Sequence, residues 1–183
     1  MQILSIFLIA LATNLDNLVI GMALGLKARR LSSLANLLIA LCSAAATFLC
    51  CYLSSFLAAY GKIAGVIGGA LLILLGLISF FPSKPSKTEQ NMIQKDQPLP
   101  ISPGEAALLG LALAINCLAA AFGAGMSGVL ALPAALGVGI FSFICTGTGN
   151  ILGLFGKKKI PSSAFTAISG CLMVALGVIQ ILF

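Results

Sequence analysis

The sequence has no histidine and no tryptophan, and acids are scarce: Asp and Glu together number 4 in 183 residues, and charged residues of both signs make up 8%. A soluble domain is about a quarter charged and under half apolar, whereas here 60% of residues are hydrophobic and the mean hydropathy is +1.16. That balance excludes a soluble globular protein, a disordered chain and a nucleic-acid-binding domain. Without histidine there is no Ser-His-Asp set. No Walker or Rossmann glycine loop and no pair of intramembrane carboxylates is present either, so an enzyme is not expected. The six cysteines (Cys42, Cys50, Cys51, Cys117, Cys145 and Cys171) all stand inside apolar stretches without a C-x-x-C pair. This excludes a secreted disulfide framework and a zinc signature, and leaves small packing residues between helices.

What is present is a series of long apolar runs, at about 3–26, 33–60, 63–82, 104–126, 130–155 and 162–183. Each is close to or above the roughly 20 residues a helix needs to cross about 30 Å of hydrocarbon. The runs are continuous rather than alternating, which favours helices over barrel strands. The expected fold is therefore an all-α membrane protein of six transmembrane helices in a lipid bilayer. The one appreciable polar stretch, 83–102, reads as a flexible linker. It ends in Ser102-Pro103-Gly104-Glu105, an N-cap serine, a proline at the first helical position and a capping-box glutamate.

Basic residues set the expected orientation. Lys27, Arg29 and Arg30 follow the first run, Lys84, Lys87 and Lys95 lie in the linker, and Lys157, Lys158 and Lys159 follow the fifth run. The opposite side has only Lys62. By the positive-inside rule the linker is cytoplasmic and both termini are extracytoplasmic, in a bacterial plasma membrane. The net charge of +6 thus needs no acidic partner beyond lipid headgroups. No positive n-region precedes the first run, which is longer than a signal-peptide core and is expected to be retained.

The sequence also matches itself. At a shift of 100, Leu11, Ala12, Leu18 and Gly25 meet Leu111, Ala112, Leu118 and Gly125, and Asp16 meets Asn116. At a shift of 101 the third run meets the sixth, and at 95 the second meets the fifth, where Phe48 and Cys50 fall on Phe143 and Cys145. The unit is three helices, so a second copy enters from the other side of the membrane. The expected domains are a first repeat over 1–82, the linker 83–102 and a second, inverted repeat over 103–183. Secondary transporters of this architecture build a midplane site at the repeat interface.

Asp16 is the one charged residue inside an apolar run, close to its middle. An intramembrane carboxylate costs at least ~3 kcal/mol on insertion scales and marks an ion or proton path by default. Its hard oxygens suit Mg²⁺, Mn²⁺ or Ca²⁺; the competing reading is a protonated packing residue. On a regular helix Asn14, Asn17, Gly21 and Gly25 share a stripe, and Asp16 points about 100° away. Two adjacent polar faces mean either a helix surrounded by protein or local unwinding at NLDN. Asn116 sits at the middle of the fourth run among small residues, so it can approach Asp16. Thr146 and Asn150 of the fifth run could complete an ion's shell or act as interhelical glue.

The segments ALATNLDNLVIGMALGL, LALAINCLAAAFGAG, IGGALLILLGL and ISGCLMVALG resemble the small six-helix manganese exporters (MntP) and their sporulation membrane protein (YtaF-type) relatives. The resemblance spans the chain except the linker. It implies that Asp16 binds Mn²⁺. Such exporters carry a second Asp where this sequence has Asn116, and one carboxylate leaves a dication with a net charge of +1. That departure pulls the reading towards the sporulation-type relatives, for which the resemblance supplies no biochemical activity.

The leading expectation is a secondary transporter that exports a divalent cation, Mn²⁺ foremost, by alternating access. The expected ligands are Asp16, Asn116, Asn14, Asn17, Thr146 and Asn150, with proton exchange as the coupling. No resident cofactor and no nucleic-acid partner are expected, and nothing in the pattern fixes an oligomeric state. Two alternatives remain beside it: a non-transporting assembly protein, for example in sporulation, and an exporter of a small solute.

Overall fold

A computed structural model of the chain describes residues 2–56, 62–79, 87–94, 100–155 and 162–182. The described elements are α1 (Gln2–Leu26), α2 (Ser33–Ser55), α3 (Lys62–Ser79), α4 (Lys87–Gln94), α5 (Pro103–Met126), α6 (Ala131–Phe155) and α7 (Ser162–Leu182). No strand occurs among the described residues. Helix starts follow local chemistry. Ser32 caps α2 by accepting from the Ala35 N–H at 3.1 Å. Ser102 and Glu105 form the expected capping box, with Pro103 opening α5.

Two turns match across the chain. After α1 the N–H of Arg29 donates to Leu24 O at 3.1 Å and that of Ala28 to Gly25 O at 2.9 Å. After α5 the N–H of Val129 donates to Ala124 O and that of Gly128 to Gly125 O, both at 3.1 Å. Ala28 and Gly128 hold the positive φ of these turns, at 56° and 80°.

The helices pack in reciprocal pairs: α1 on α6 and α5 on α2, α1 on α7 and α5 on α3, with α2 against α6 and α3 against α7. The α1–α6 approach is backbone to backbone. A Cβ added at Gly153 would come within 2.9 Å of Gly25 Cα, and one at Gly25 within 2.7 Å of Leu154 N. The buried interior is built of Ala, Cys, Gly, Ser, Thr and Asn as much as Leu and Ile, while Leu49, Ile115, Leu132 and Ile140 are exposed. Small residues inside and large aliphatics outside suit helices that meet each other in lipid.

By length and composition three helices can cross a bilayer: Ser5–Leu26, Ser33–Ser55 and Ala131–Phe155. A bent pair, Pro103–Ile115 with Cys117–Met126, makes a fourth. Val66–Ile78 and Gly170–Ile179 are shorter apolar helices. The chain is thus a multi-pass helical membrane protein, and among the described residues three helices, or four with the bent pair, are long and apolar enough to span a bilayer.

The stretch read as a flexible linker contains α4, which packs against α5 and α1 and buries Glu89 to 3% exposure. Its sequence KTEQNMIQ is rich in good helix formers and places Glu89 in the first turn, where an acid complements the helix dipole. Lys84, Lys95, Lys157, Lys158 and Lys159, on which the orientation rests, lie outside the described residues.

Candidate functional site

Four of the six expected ligands share the seam between α1 and α6. Asn14 and Asn17 are both fully buried there. The Asn14 amide donates to Ala10 O at 2.7 Å within its own helix and to Val138 O of α6 at 3.2 Å. The Asn17 amide donates to Asn14 Oδ1 at 2.7 Å and to Ser142 Oγ at 3.1 Å, and Ser142 reaches Ser43 Oγ of α2 at 3.4 Å. Thr146, equally buried, returns its hydroxyl to Ser142 O at 2.7 Å. α1 runs unbroken through all of these positions. Surrounding protein therefore satisfies the asparagine face, and α1 is not unwound at NLDN.

Asn150 sits at the linker end of that seam and clamps the turn after α1. Its amide donates to Arg29 O at 2.9 Å, and its Oδ1 accepts from the Leu31 N–H at 3.0 Å. Arg29 in turn pairs with Glu105 at 2.8 Å, joining this turn to the capped start of α5. The N–H of Ile101 donates to Arg30 O at 3.1 Å, closing the same junction.

Asp16 stands apart from the hydrogen-bonded seam. It is half-buried. α5 crosses at this level, where Cys117 Sγ donates to Thr13 O at 3.8 Å. The 45° bend of α5 falls between Ile115 and Cys117, hence at Asn116. The Asn116 side chain itself, and with it the expected approach to Asp16, lies outside the described residues.

Glu89 was not foreseen. It is buried in α4, which packs against α1 and α5. Ser43, Ser142 and Asn36 were also absent from the expected set. The Asn36 amide donates to Phe143 O at 2.8 Å, and Asn36 tightens the α2–α6 contact. A signal for α4 does exist in sequence: Ser86-Lys87-Thr88-Glu89 has the same spacing as the capping box at Ser102–Glu105.

Chemically, α1 offers one hard carboxylate at Asp16, and the α1–α6 seam offers neutral amide and hydroxyl oxygens. No group of three or more His, Cys, Asp or Glu is gathered among the described residues. A cation here would be held by carboxylate, amide, carbonyl and water oxygens, as Mg²⁺, Mn²⁺ and Ca²⁺ accept. The buried Asn17 Oδ1 has no hydrogen-bond donor, nor does Thr47 Oγ1 have a partner. Buried oxygens of this kind are where a water or cation gains most.

The chain is similar to the probable sporulation protein YtaF of Bacillus subtilis. The two are 28% identical over 208 aligned residues, covering 97% of this chain and 98% of the relative. The similarity runs over nearly the whole of both chains. No family model and no solved structure matches the chain.

Proposed function

We propose that the chain is a secondary transporter that exports a divalent metal cation, Mn²⁺ foremost, through a site centred on Asp16. The observation that carries this reading is the half-buried Asp16 inside a continuous transmembrane helix, at the level where the bent α5 crosses it. A carboxylate held there is expensive in lipid and marks an ion path by default. Reciprocal packing of α1–α6 with α5–α2, and of α1–α7 with α5–α3, supports two inverted three-helix repeats around that site. The matched turns at Ala28 and Gly128 support the same duplication. A single carboxylate can trade a proton for a metal, so proton exchange is the coupling this reading requires. The nine basic residues on one side support a cytoplasmic linker.

The name of the Bacillus relative favours a second reading, in which the chain serves sporulation as a non-transporting assembly protein. The hydrogen bonds of Asn14, Asn17 and Asn150 fit that reading equally well, because they are already engaged between elements.

Everted membrane vesicles separate the two. The transporter reading expects Mn²⁺ uptake that dissipates a proton gradient, abolished by Asp16→Asn and increased by Asn116→Asp. Full uptake by Asp16→Asn would remove Asp16 from the site. Vesicles without Mn²⁺ flux in any variant would leave the assembly reading standing.

A further inference from the structure

The helices that flank the level of Asp16 are held in two different ways. α1 lies backbone to backbone on α6 at Gly21, Gly25, Gly149 and Gly153, and α5 lies as closely on α2 at Gly125. α1 and α5 touch much less, and through side chains. Towards the linker end that contact is first apolar: Ile20 and Leu24 of α1, Ile39 of α2, and Leu109 and Leu113 of α5 form one buried cluster. Ile20 and Leu113 stand one helical turn to the linker side of Asp16 and Cys117. Beyond this plug Arg29, only 2% exposed, pairs with Glu105 at 2.8 Å. Asn150 fastens the turn carrying Arg29 to α6, whereas Glu105 belongs to the first turn of α5. The ion pair thus ties the α1–α6 unit to α5. The opposite end is closed without charge. At the shift of 100, Arg29 and Glu105 fall on Val129 and Ser5, and Val129 is buried in an apolar cluster with Ile9, Ala124 and Ala134.

We propose that the Arg29–Glu105 pair and the apolar plug beneath it form the linker-side gate to Asp16. The gate opens when α1 parts from α5 while each stays joined to its glycine-packed partner. Its role as a gate rests on the reading of Asp16 as the transport site. Helices that meet through side chains can slide or part with small rearrangements, whereas interlocked backbones move as one body. An apolar constriction keeps out water and hydrated ions until it widens. The ion pair adds a lock of defined geometry over that constriction. A junction built for stability alone does as well with apolar residues, and the opposite end shows that this fold can use them. A charged pair at the rim differs in that both groups regain water on parting, and Glu105 already keeps 18% exposure.

Cys117 is a built-in reporter, being 1% exposed, with its Sγ donating to Thr13 O across the α1–α5 contact at 3.8 Å. In full-length protein keeping Cys117 as its single cysteine, labelling by a charged, membrane-impermeant thiosulfonate is timed in sealed vesicles of both orientations. Lys27→Cys in an otherwise cysteine-free chain, exposed at the linker end, identifies the vesicles that present that end. Glu105→Gln removes the charge and keeps the capping box. It should raise labelling from the linker end on the order of tenfold, because reactivity follows the open population. No rise is expected from the other side, and Arg29→Lys, which keeps the pair, should stay near the parent rate. Leu109→Ala thins the plug without touching the pair, and should give the same one-sided rise if Glu105→Gln fails to fold. Equal rates in parent and variants, or an equal rise from both sides as general loosening would give, would overturn the gate. Mn²⁺ flux in the same vesicles is read separately. Faster one-sided labelling without flux in any variant would keep the gate and remove the transporter reading, whereas flux with unchanged labelling would do the reverse.

Discussion

The α1–α6 seam and the α2–α5 seam occupy equivalent places in the bundle but are made of different chemistry. The first is joined by amides and hydroxyls, with Asn14, Asn17 and Asn150 each donating across it or to the adjoining turn. The second is joined by thiols: Cys50 Sγ donates to Leu118 O and Cys51 Sγ to Ala121 O, both at 3.1 Å. What the two share is close backbone approach, at Gly21, Gly25, Gly149 and Gly153 in one and at Gly110 and Gly125 in the other. Small residues fix where helices cross, and they are common to both seams. The polar groups decide what a crossing can bind, and they are concentrated in the α1–α6 seam. Like packing therefore does not imply like chemistry.

The comparison is broken hardest at the glycines. A Cβ at Gly153 would meet α1 backbone on two sides, with Gly25 Cα and Leu26 N both at 2.9 Å. Gly153→Leu should cost about 3 kcal/mol, at the upper end for overpacking, and should appear as a loss of monodisperse protein in detergent. A Cβ at Gly110 has Cys42 and the Ile39 Cα nearest, at 3.1–3.2 Å, so Gly110→Ala should cost under ~1 kcal/mol and keep the protein monodisperse in the same detergent. Equal losses from the two substitutions would show that backbone contact does not set the α1–α6 crossing.

Next in size is the junction at the linker end. Arg29 is 3% exposed and Glu105 is 18% exposed, so Arg29→Ala leaves a poorly solvated acid behind. A cost of about 2 kcal/mol is expected, below the range for a fully buried pair because Glu105 keeps some water. Circular dichroism melting of Arg29→Ala beside the Arg29→Ala/Glu105→Gln double variant checks this, since neutralising Glu105 should return part of the loss. At the seams themselves, Asn14→Ala should cost about 1 kcal/mol, whereas Cys50→Ala should fall within ~0.5 kcal/mol. A larger effect at Cys50 would contradict the ordering of the two seams.

Much of this is legible in the sequence. Continuous apolar runs fixed the helices, because a chain in lipid must satisfy its backbone within each segment. The Ser102–Glu105 box located the start of α5 to the residue. The small stripes marked the faces that meet. Glu89 was missed because composition made 83–102 look like solvent-exposed linker, although the capping spacing at Ser86–Glu89 was as clear as the one at Ser102. The division of labour within helix 1 was only half legible. A 100° separation placed Asp16 off the asparagine stripe, but only packing shows that the asparagines are engaged across the seam while Asp16 is only half-buried. Periodicity reports directions around one axis and not which neighbour occupies each direction.

The finest difference between the halves is in their turns. Ala28 holds φ at 56° where the equivalent turn uses Gly128 at 80°, and the hydrogen bonds around them are the same. An L-residue in the left-handed region costs about 1 kcal/mol relative to glycine. Glycine gives back about 0.7 kcal/mol through the greater freedom of the unfolded chain. Ala28→Gly should therefore stabilise by only a few tenths of a kcal/mol, and Gly128→Ala should destabilise by as little. A Cβ at Gly128 meets nothing within 4 Å, so the second substitution probes the backbone alone. If the turns are equivalent, the double exchange should melt within error of the parent. A clear loss from Ala28→Gly would mean that the Ala28 methyl makes a contact its counterpart lacks, and that the likeness of the two turns ends at their hydrogen bonds.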